Sequence, residues 1–354
     1  MVLQTKKKNI RELSLEEMQE FFSSHGEKAF RAKQLYEWLW MKSARSFDEM
    51  TNLSKELRML LKEYFSLPSV VLAEEQISSD RTIKNAFELA DGNITEGVLI
   101  PANDRMTACI SSQVGCSLAC KFCATGRLKL MRNIQFDEIY DQVAIIKEQA
   151  EKHYNQPLTN IVYMGMGEPL LNYRQTLKSI ERITSPDGLG MSPRRITVST
   201  AGIAKMIRRL GDDEVKFNLA LSLHAANDEK RSKIMPINED NSLEVIKEAL
   251  KHFYKKTKTR VTYEYIIFKD FNDDLNDAAE LAEFCKIIPC KVNIIEYNPI
   301  DDGEFEQADP KKVDAFAEYL EQKSIVVNIR RSRGKDIDAA CGQLANKNGA
   351  IIKD

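Results

Sequence analysis

The sequence predicts an α/β protein built on a partial, open parallel barrel of about six strand–helix units, entered through a β-hairpin and preceded by a small helical domain. Two observations carry that expectation. From residue 105 onward, β-like apolar runs at 106–111, 160–164, 195–200, 216–223, 261–268 and 291–297 alternate with helical stretches at 137–153, 243–254, 275–286 and 311–323. That alternation calls for parallel pairing, and six units fall short of the eight that close a full barrel. A sheet of this kind presents its functional loops at the carboxyl ends of its strands.

Taken in order, the chain first reads as helical. Ser14 is placed to cap a helix opening at Leu15, and Ser54 another opening at Lys55. Between them 30–41 carries the aromatics Phe30, Tyr36, Trp38 and Trp40, which read as packing residues because no alternating strand pattern presents them to a base. Residues 1–68 are expected to form an accessory domain. From residue 70 the pattern changes: 83–89 and 94–100 are β-like, and Asp91-Gly92 between them is a hairpin turn signal, so 69–104 reads as a hairpin linker. Glu96 is the only acid of the second arm, and its pattern alone suggests the outward face of a strand. The barrel is expected over 105–335 and a tail over 336–354.

Composition sets limits on function. The 354 residues are 43% apolar and 29% charged, ordinary for a globular protein, and no run approaches the roughly 18 apolar residues of a membrane span. Lys6-Lys7-Lys8 has no apolar stretch behind it, so no signal peptide is expected, and seven cysteines then point to a reducing cytoplasm. A net charge of −2 argues against a wholly electrostatic nucleic-acid binder. Local basic clusters remain, at Arg127, Lys129 and Arg132; at Arg194 and Arg195; at Lys251, Lys255, Lys256, Lys258 and Arg260; and at Arg330, Arg331, Arg333 and Lys335.

The chemistry gathers at 116–123, where Cys116, Cys120 and Cys123 are separated by three and then two residues. A closed structural zinc site takes four ligands, whereas an iron–sulfur cube held by three thiolates leaves one iron open. This loop follows the first barrel strand. Gly165-Met166-Gly167-Glu168-Pro169 follows the second, Ser199-Thr200-Ala201-Gly202 the third, Ser222-Leu223-His224 the fourth and Asn298-Pro299 the sixth. Each stretch is a weak signal alone, but equivalent positions at strand ends can surround one small molecule. Cys285 and Cys290, by contrast, read as buried structural thiols.

The Cys-x3-Cys-x2-Cys spacing with Phe122 before the last cysteine, followed by the Gly-Met-Gly-Glu-Pro stretch, resembles the radical S-adenosylmethionine enzymes, and more closely their RNA-methylating RlmN/Cfr branch. The blocks at 112–116, 123–126, 164–170, 192–195, 222–224, 235–238 and 338–344 extend the match over nearly the whole chain. The run from Gly167 to Tyr173 looks more like the RlmN side, since Cfr-like chains depart after the glutamate. The resemblance implies that Cys116, Cys120 and Cys123 hold one 4Fe-4S cluster whose open iron binds S-adenosylmethionine. Gly167, Glu168, Ser199, Ser222, Leu223, His224 and Asn298 would bind the cofactor, Leu223 mainly through its backbone.

Carbon 2 of adenine lies between two ring nitrogens and is electron-poor, so it cannot take a methyl group by simple polar attack; a carbon radical can add there, given a strong one-electron reductant. By resemblance, Cys341 is first methylated by one S-adenosylmethionine as an ordinary thiolate nucleophile. A second S-adenosylmethionine then yields the radical that activates that methyl group for addition to carbon 2. Release is implied to need Glu96 as proton acceptor, a role that could instead fall to Cys109, and Cys109 as the thiol that forms a transient disulfide with Cys341. The implied partners are 23S rRNA at its peptidyl-transferase region, certain tRNAs beside the anticodon, and an electron donor such as flavodoxin or ferredoxin, acting on a monomeric, non-membrane enzyme. Two alternatives stand beside this reading: carbon 8 methylation of the same adenosine, and a non-catalytic RNA-binding protein with zinc held by Cys109 and the three loop cysteines.

Overall fold

In the computed structural model, which describes residues 7–102 and 104–345, the expected helical module, hairpin and parallel sheet are all present. The lead-in on which the signal-peptide reading rests, residues 1–6, and the last part of the tail, 346–354, lie outside the described residues. The module opens with β1 (Lys8–Asn9), followed by helices α1 (Leu15–Ser24), α2 (Phe30–Trp40) and α3 (Lys55–Tyr64), and closes with β2 (Phe65–Ser66), which pairs in parallel with β1. Ser14 and Glu17 form a reciprocal capping box at the start of α1, and Ser54 Oγ accepts the Leu57 N–H at the start of α3. Of the aromatic stripe, Trp40 is fully buried, but Phe30 is 51% exposed with Arg31 stacked over it, so the expected packing holds for only part of the stripe.

The remaining strands belong almost entirely to one sheet. Strands β3 (Val71–Ile77), β4 (Ile83–Glu88), β5 (Ile94–Ala102) and β6 (Arg105–Cys109) form an antiparallel meander, with Gly92 at φ +80° turning the β4–β5 hairpin. A short ribbon of β7 (Gln113–Val114) and β8 (Arg132–Asn133) carries the cysteine loop. The chain then runs α4 (Phe136–Tyr154), β9 (Asn160–Tyr163), α5 (Tyr173–Thr184), β10 (Ile196–Thr200), α6 (Ala204–Asp212), β11 (Asn218–Ser222), α7 (Asp228–Ile234), α8 (Leu243–Thr257), β12 (Val261–Ile267), α9 (Leu275–Cys285), β13 (Cys290–Glu296), α10 (Pro310–Gln322) and β14 (Val327–Arg330).

Among the described residues the main sheet has ten strands in the order β14-β13-β12-β11-β10-β9-β6-β5-β4-β3, parallel from β6 to β14. The edges β14 and β3 do not pair, so the barrel is open, as expected. The hairpin is a continuation of this sheet rather than a separate linker, because β5 pairs directly with β6. The expected set of six barrel strands omitted β14, a four-residue edge strand with no buried residue. The first parallel strand ends at Cys109, and Thr107, Ala108 and Cys109 sit opposite Asn160, Ile161 and Val162.

The helical module is locked onto the sheet's outer layer by one buried ion pair. Arg11 Nη1 meets Asp141 Oδ2 of α4 at 2.8 Å with both side chains 0% exposed, and the Val70 N–H donates to the same oxygen. Two orphan groups of the chain's entry are thus satisfied by one carboxylate. Among the described residues no helix is long and apolar enough to cross a membrane.

Candidate active site

Every strand-end motif picked out in the sequence opens toward the same end of the sheet. A cavity of about 160 Å³ there is lined by the three loop cysteines, Gly167, Glu168, Ser199, Ser222 and His224, and by Cys341 from the tail. Leu223 and Asn298 are placed differently. The Leu223 side chain is fully buried, and its carbonyl accepts from Arg231 Nε at 3.1 Å. Asn298 is buried behind the tail, where its Nδ2 donates to the Cys341 carbonyl at 3.2 Å while Oδ1 has no hydrogen-bond partner.

The local backbone explains why those residue types are needed. Gly167 sits at φ +92°, and a Cβ there would lie 2.4 Å from Gln113 Cβ, so only glycine lets the loop pass close to the cysteine ribbon. That passage delivers Glu168, whose Oε2 accepts the Ala201 N–H at 2.7 Å and whose Oε1 accepts the Leu170 N–H at 3.0 Å. Burial lifts the Glu168 carboxyl to about 7, while those two N–H groups pull the other way. His224 holds φ +57°, its Nδ1 accepts the Ile266 N–H at 3.1 Å, and its ring stands edge-on to Phe122 at 4.8 Å. Burial, with Arg231 adding to it, drives His224 down to about 3, so it is neutral and carries its hydrogen on Nε2. Ser199 and Ser222 face each other, Oγ to Oγ, at 3.3 Å.

The residues fit the group that three such cysteines imply. Burial pushes the Cys116 thiol up to about 11 and raises Cys120 and Cys123 as well, so none of them ionises readily unless a cation takes the place of its proton. An apolar shell of Leu118, Phe122, Ile234, Met235 and Phe268 surrounds the three sulfurs, the dry setting of a low-potential centre. Asn298 Oδ1, behind the tail, is a buried acceptor with no hydrogen-bond partner. Cys109 is separated from this shell: it packs with Val98, Met166, Ala339 and Leu344 in another cluster, away from Cys116 and Cys120, which does not suit a four-thiol zinc site.

A second, adjoining cavity of about 110 Å³ brings together Cys109, Cys123 and Cys341 with Arg330, Arg331 and Arg333. The tail that supplies Cys341 lies across both cavities. Gly342 carbonyl accepts the Ala124 N–H at 2.7 Å, Leu344 carbonyl accepts Thr125 Oγ1 at 2.6 Å, and Gln343 Nε2 donates to Pro299 carbonyl at 3.0 Å. Gly342 itself holds φ +84°. Cys109 is buried, which pushes its thiol up to about 12, with Arg330 acting in the opposite direction. Arg330 Nη1 lies 3.3 Å from Glu264 Oε2, an anionic partner that favours its charged form.

Glu96 corrects one expectation. It is 3% exposed rather than on an outward face, paired with Lys84 Nζ at 3.0 Å and accepting the Ala345 N–H at 2.8 Å. Helix α4 covers β5 and β6 and the tail reaches Glu96, so the period-two pattern of β5 does not alternate core with solvent. Arg132, from one of the basic clusters, is held by Asp91 and Glu138, whereas Arg331 and Arg333 border the second cavity. Glu264 and Arg330 were not singled out as site residues. A lone acid inside the apolar run 261–268 was the available signal for the first, and the basic run ending the sheet for the second.

Comparison with known proteins follows the same division of the chain. A model described as Ribosomal RNA large subunit methyltransferase N-terminal domain matches residues 8–67, and one described as Radical SAM superfamily matches residues 110–283. The chain is 63% identical over 342 residues to a probable dual-specificity RNA methyltransferase RlmN of Cytophaga hutchinsonii, covering 97% of this chain and 94% of that one. It is 42% identical over 348 residues to the dual-specificity RNA methyltransferase RlmN of Geotalea uraniireducens, covering 98% and 99%. A radical SAM methyltransferase crystal structure from Sphaerobacter thermophilus superposes with a TM-score of 0.90 at 37% identity, covering 95% of this chain and 99% of the other.

Proposed function

Because this chain belongs to the RlmN family of radical SAM methyltransferases, we propose that it methylates carbon 2 of adenine in RNA, in 23S rRNA and in tRNA, through a methyl group carried on Cys341. The observation that carries the reading is that Cys341 and Cys109, 232 residues apart in sequence, border one cavity that also reaches Cys123 of the cysteine loop. When bound, a 4Fe-4S cluster supplies a low-potential electron and an open iron for the amino and carboxylate groups of S-adenosylmethionine.

The chain's own residues do the rest. Cys116, Cys120 and Cys123 hold the cluster. Gly167 and Glu168 bind the amino end of S-adenosylmethionine, Ser199, Ser222 and neutral His224 its polar groups, the backbone at Leu223 its flank, and Asn298 its nucleoside side. Asn298 also holds the Cys341 carbonyl, which ties the position of the carrier thiol to that of the cofactor. Cys341, which shares its cavity with Arg330, first takes a methyl group as a thiolate nucleophile. After its methylene carbon has joined adenine carbon 2, Glu96 accepts the carbon 2 proton, and its present bond to the Ala345 N–H means that the tail shifts before it does so. The Cys109 thiolate then attacks Cys341 sulfur, so that an S–S bond forms as the C–S bond breaks, and the electron pair left on the exocyclic carbon takes up a proton to complete the methyl group. Arg331 and Arg333 at the mouth suit phosphates beside a base drawn out of its stack. The reductant is a low-potential carrier of the flavodoxin or ferredoxin kind, the enzyme acts as a monomer, and its RNA substrates put it in the cytoplasm.

Anaerobic reconstitution followed by assay on an rRNA fragment tests this directly. Nucleoside mass spectrometry is expected to find 2-methyladenosine; an 8-methyl product would overturn the position, and a colourless zinc protein without iron would overturn the enzyme. Cys109→Ala is expected to accumulate a covalent protein–RNA adduct. Cys341→Ala should yield neither adduct nor product, and product from it would refute the carrier role.

A further inference from the structure

One charged group standing behind the wall of the cysteine cavity, against the carbonyls of its lining residues Ala201 and Ser222, has no role in the reading above. Arg231, on α7, is fully buried, yet all of its hydrogen-bond acceptors are neutral. Nε donates to Leu223 carbonyl at 3.1 Å, Nη1 to Asn238 Oδ1 at 2.7 Å, and Nη2 to the Ala201 and Ser222 carbonyls at 2.5 and 3.3 Å. A buried guanidinium met only by carbonyl dipoles keeps an uncompensated charge.

Burial pulls Arg231 down to about 10, and the groups that oppose this are Cys120 first and Asp228 second. Asp228 is already engaged, its Oδ1 accepting Asn238 Nδ2 at 2.8 Å and the Leu243 N–H at 2.9 Å, so it reaches Arg231 through Asn238. The helix is also joined to the cysteine loop by its own backbone, because Ile234 carbonyl accepts the Lys121 N–H at 3.0 Å. Ala201 and Ser222, whose carbonyls Nη2 meets, line the same cavity as Cys120, so the charge stands one carbonyl layer behind the thiol wall.

We propose that Arg231 is the counter-charge of the cluster: a positioning residue whose buried guanidinium favours the three bound thiolates and the reduced over the oxidised centre. The inference rests on the cluster assignment above and goes beyond it. A cube held by three thiolates is net anionic and becomes more so when it gains an electron, so a fixed cation beside it raises its reduction potential. The same fork ties together the carboxyl ends of β10 and β11, which carry Ser199, Ser222 and His224. Lysine can supply the charge but not the fork, and glutamine neither.

The test is potentiometric titration of the full-length, reconstituted protein, followed by electron paramagnetic resonance without S-adenosylmethionine, alongside iron content. Failure of the wild type to hold iron would count against the cluster assignment, not against Arg231. With the cluster in place, Arg231→Gln is expected to lower the reduced-to-oxidised ratio at fixed potential about tenfold or more, equivalent to about 59 mV for a one-electron couple. Arg231→Lys should stay within about threefold of wild type. Asp228→Asn keeps the Oδ1 acceptor and removes a competing negative charge, so it should raise the ratio. An Arg231→Gln protein with the wild-type potential overturns the proposal. If that variant takes up no iron, an unchanged potential in Asp228→Asn does so instead.

Discussion

Replacing Glu168 by glutamine removes one charge and almost no volume, and the surroundings of the carboxyl group dictate how the outcome depends on pH. Burial raises this group from its ordinary 4.5 to about 7. Folding thus favours the protonated form, so the group's contribution to stability is complete below pH 4.5 and is lost as pH rises through about 7. At about 1.4 kcal/mol per pH unit, the interval is worth roughly 3 kcal/mol in cluster-free protein. Glutamine escapes that penalty but offers one acceptor where the carboxylate offers two, leaving the Ala201 or Leu170 N–H unpaired at a cost of ~1–3 kcal/mol. Glu168→Gln is therefore expected to be the less stable protein at pH 5 by ~1–2 kcal/mol, with the gap closing or reversing by pH 8. Anaerobic urea unfolding of both proteins at the two pH values measures this. In the reconstituted wild type, affinity for S-adenosylmethionine should rise about tenfold per pH unit up to about 7 and level off above it, whereas the variant should show no such rise. A stability difference that is constant from pH 5 to pH 8 would refute the reasoning.

Three further outcomes follow from the geometry. Arg11→Ala leaves Asp141 buried with the Val70 N–H as its remaining donor, and should cost ~3–5 kcal/mol, read as a fall in the unfolding midpoint and faster proteolysis between the helical module and the sheet. Gly342→Ala forces a side chain into the left-handed region beside the carrier thiol at ~1–2 kcal/mol, which should slow methyl loading of Cys341 roughly five- to thirtyfold in single-turnover assays without RNA. Because burial holds the Cys109 thiol near 12 and the thiolate is the nucleophile, release of the RNA adduct should accelerate about tenfold per pH unit between 7 and 9; a flat profile would mean that thiolate formation does not limit release.

The parts of the fold that announced themselves in sequence were those with strong local periodicity. The 19 residues of α4 were expected within one residue at each end, and the Asp91-Gly92 turn fixed the β4–β5 register. The seventh parallel strand, β14, escaped because a short edge strand buries no side chain that would imprint a pattern. Glu96 was misread for a related reason: strand alternation tells which residues share a face, but whether that face meets solvent depends on α4 and a tail some 250 residues away. The cysteine loop and strand-end motifs were legible because each is a contiguous run. Arg231 was not, since a cation facing neutral carbonyls is a property of the folded wall and leaves no mark on its neighbours in the chain, while Arg330 was visible only as one of a basic run and not as the partner of Glu264.

The docked tail bears on timing. Its bonds reach Ala124 and Thr125 in the cysteine loop, Asn298 and Pro299 beyond β13, and Glu96 in the hairpin, so one short segment latches three distant parts of the mouth. A tethered segment competes at an effective concentration in the millimolar range, which a dilute RNA does not approach by mass action alone. The docked tail therefore holds Cys341 where it borders both cavities, and displacing it means giving up all of these bonds together. Under the proposed function, an RNA that offered replacements for these bonds would couple its own recognition to displacement of the tail.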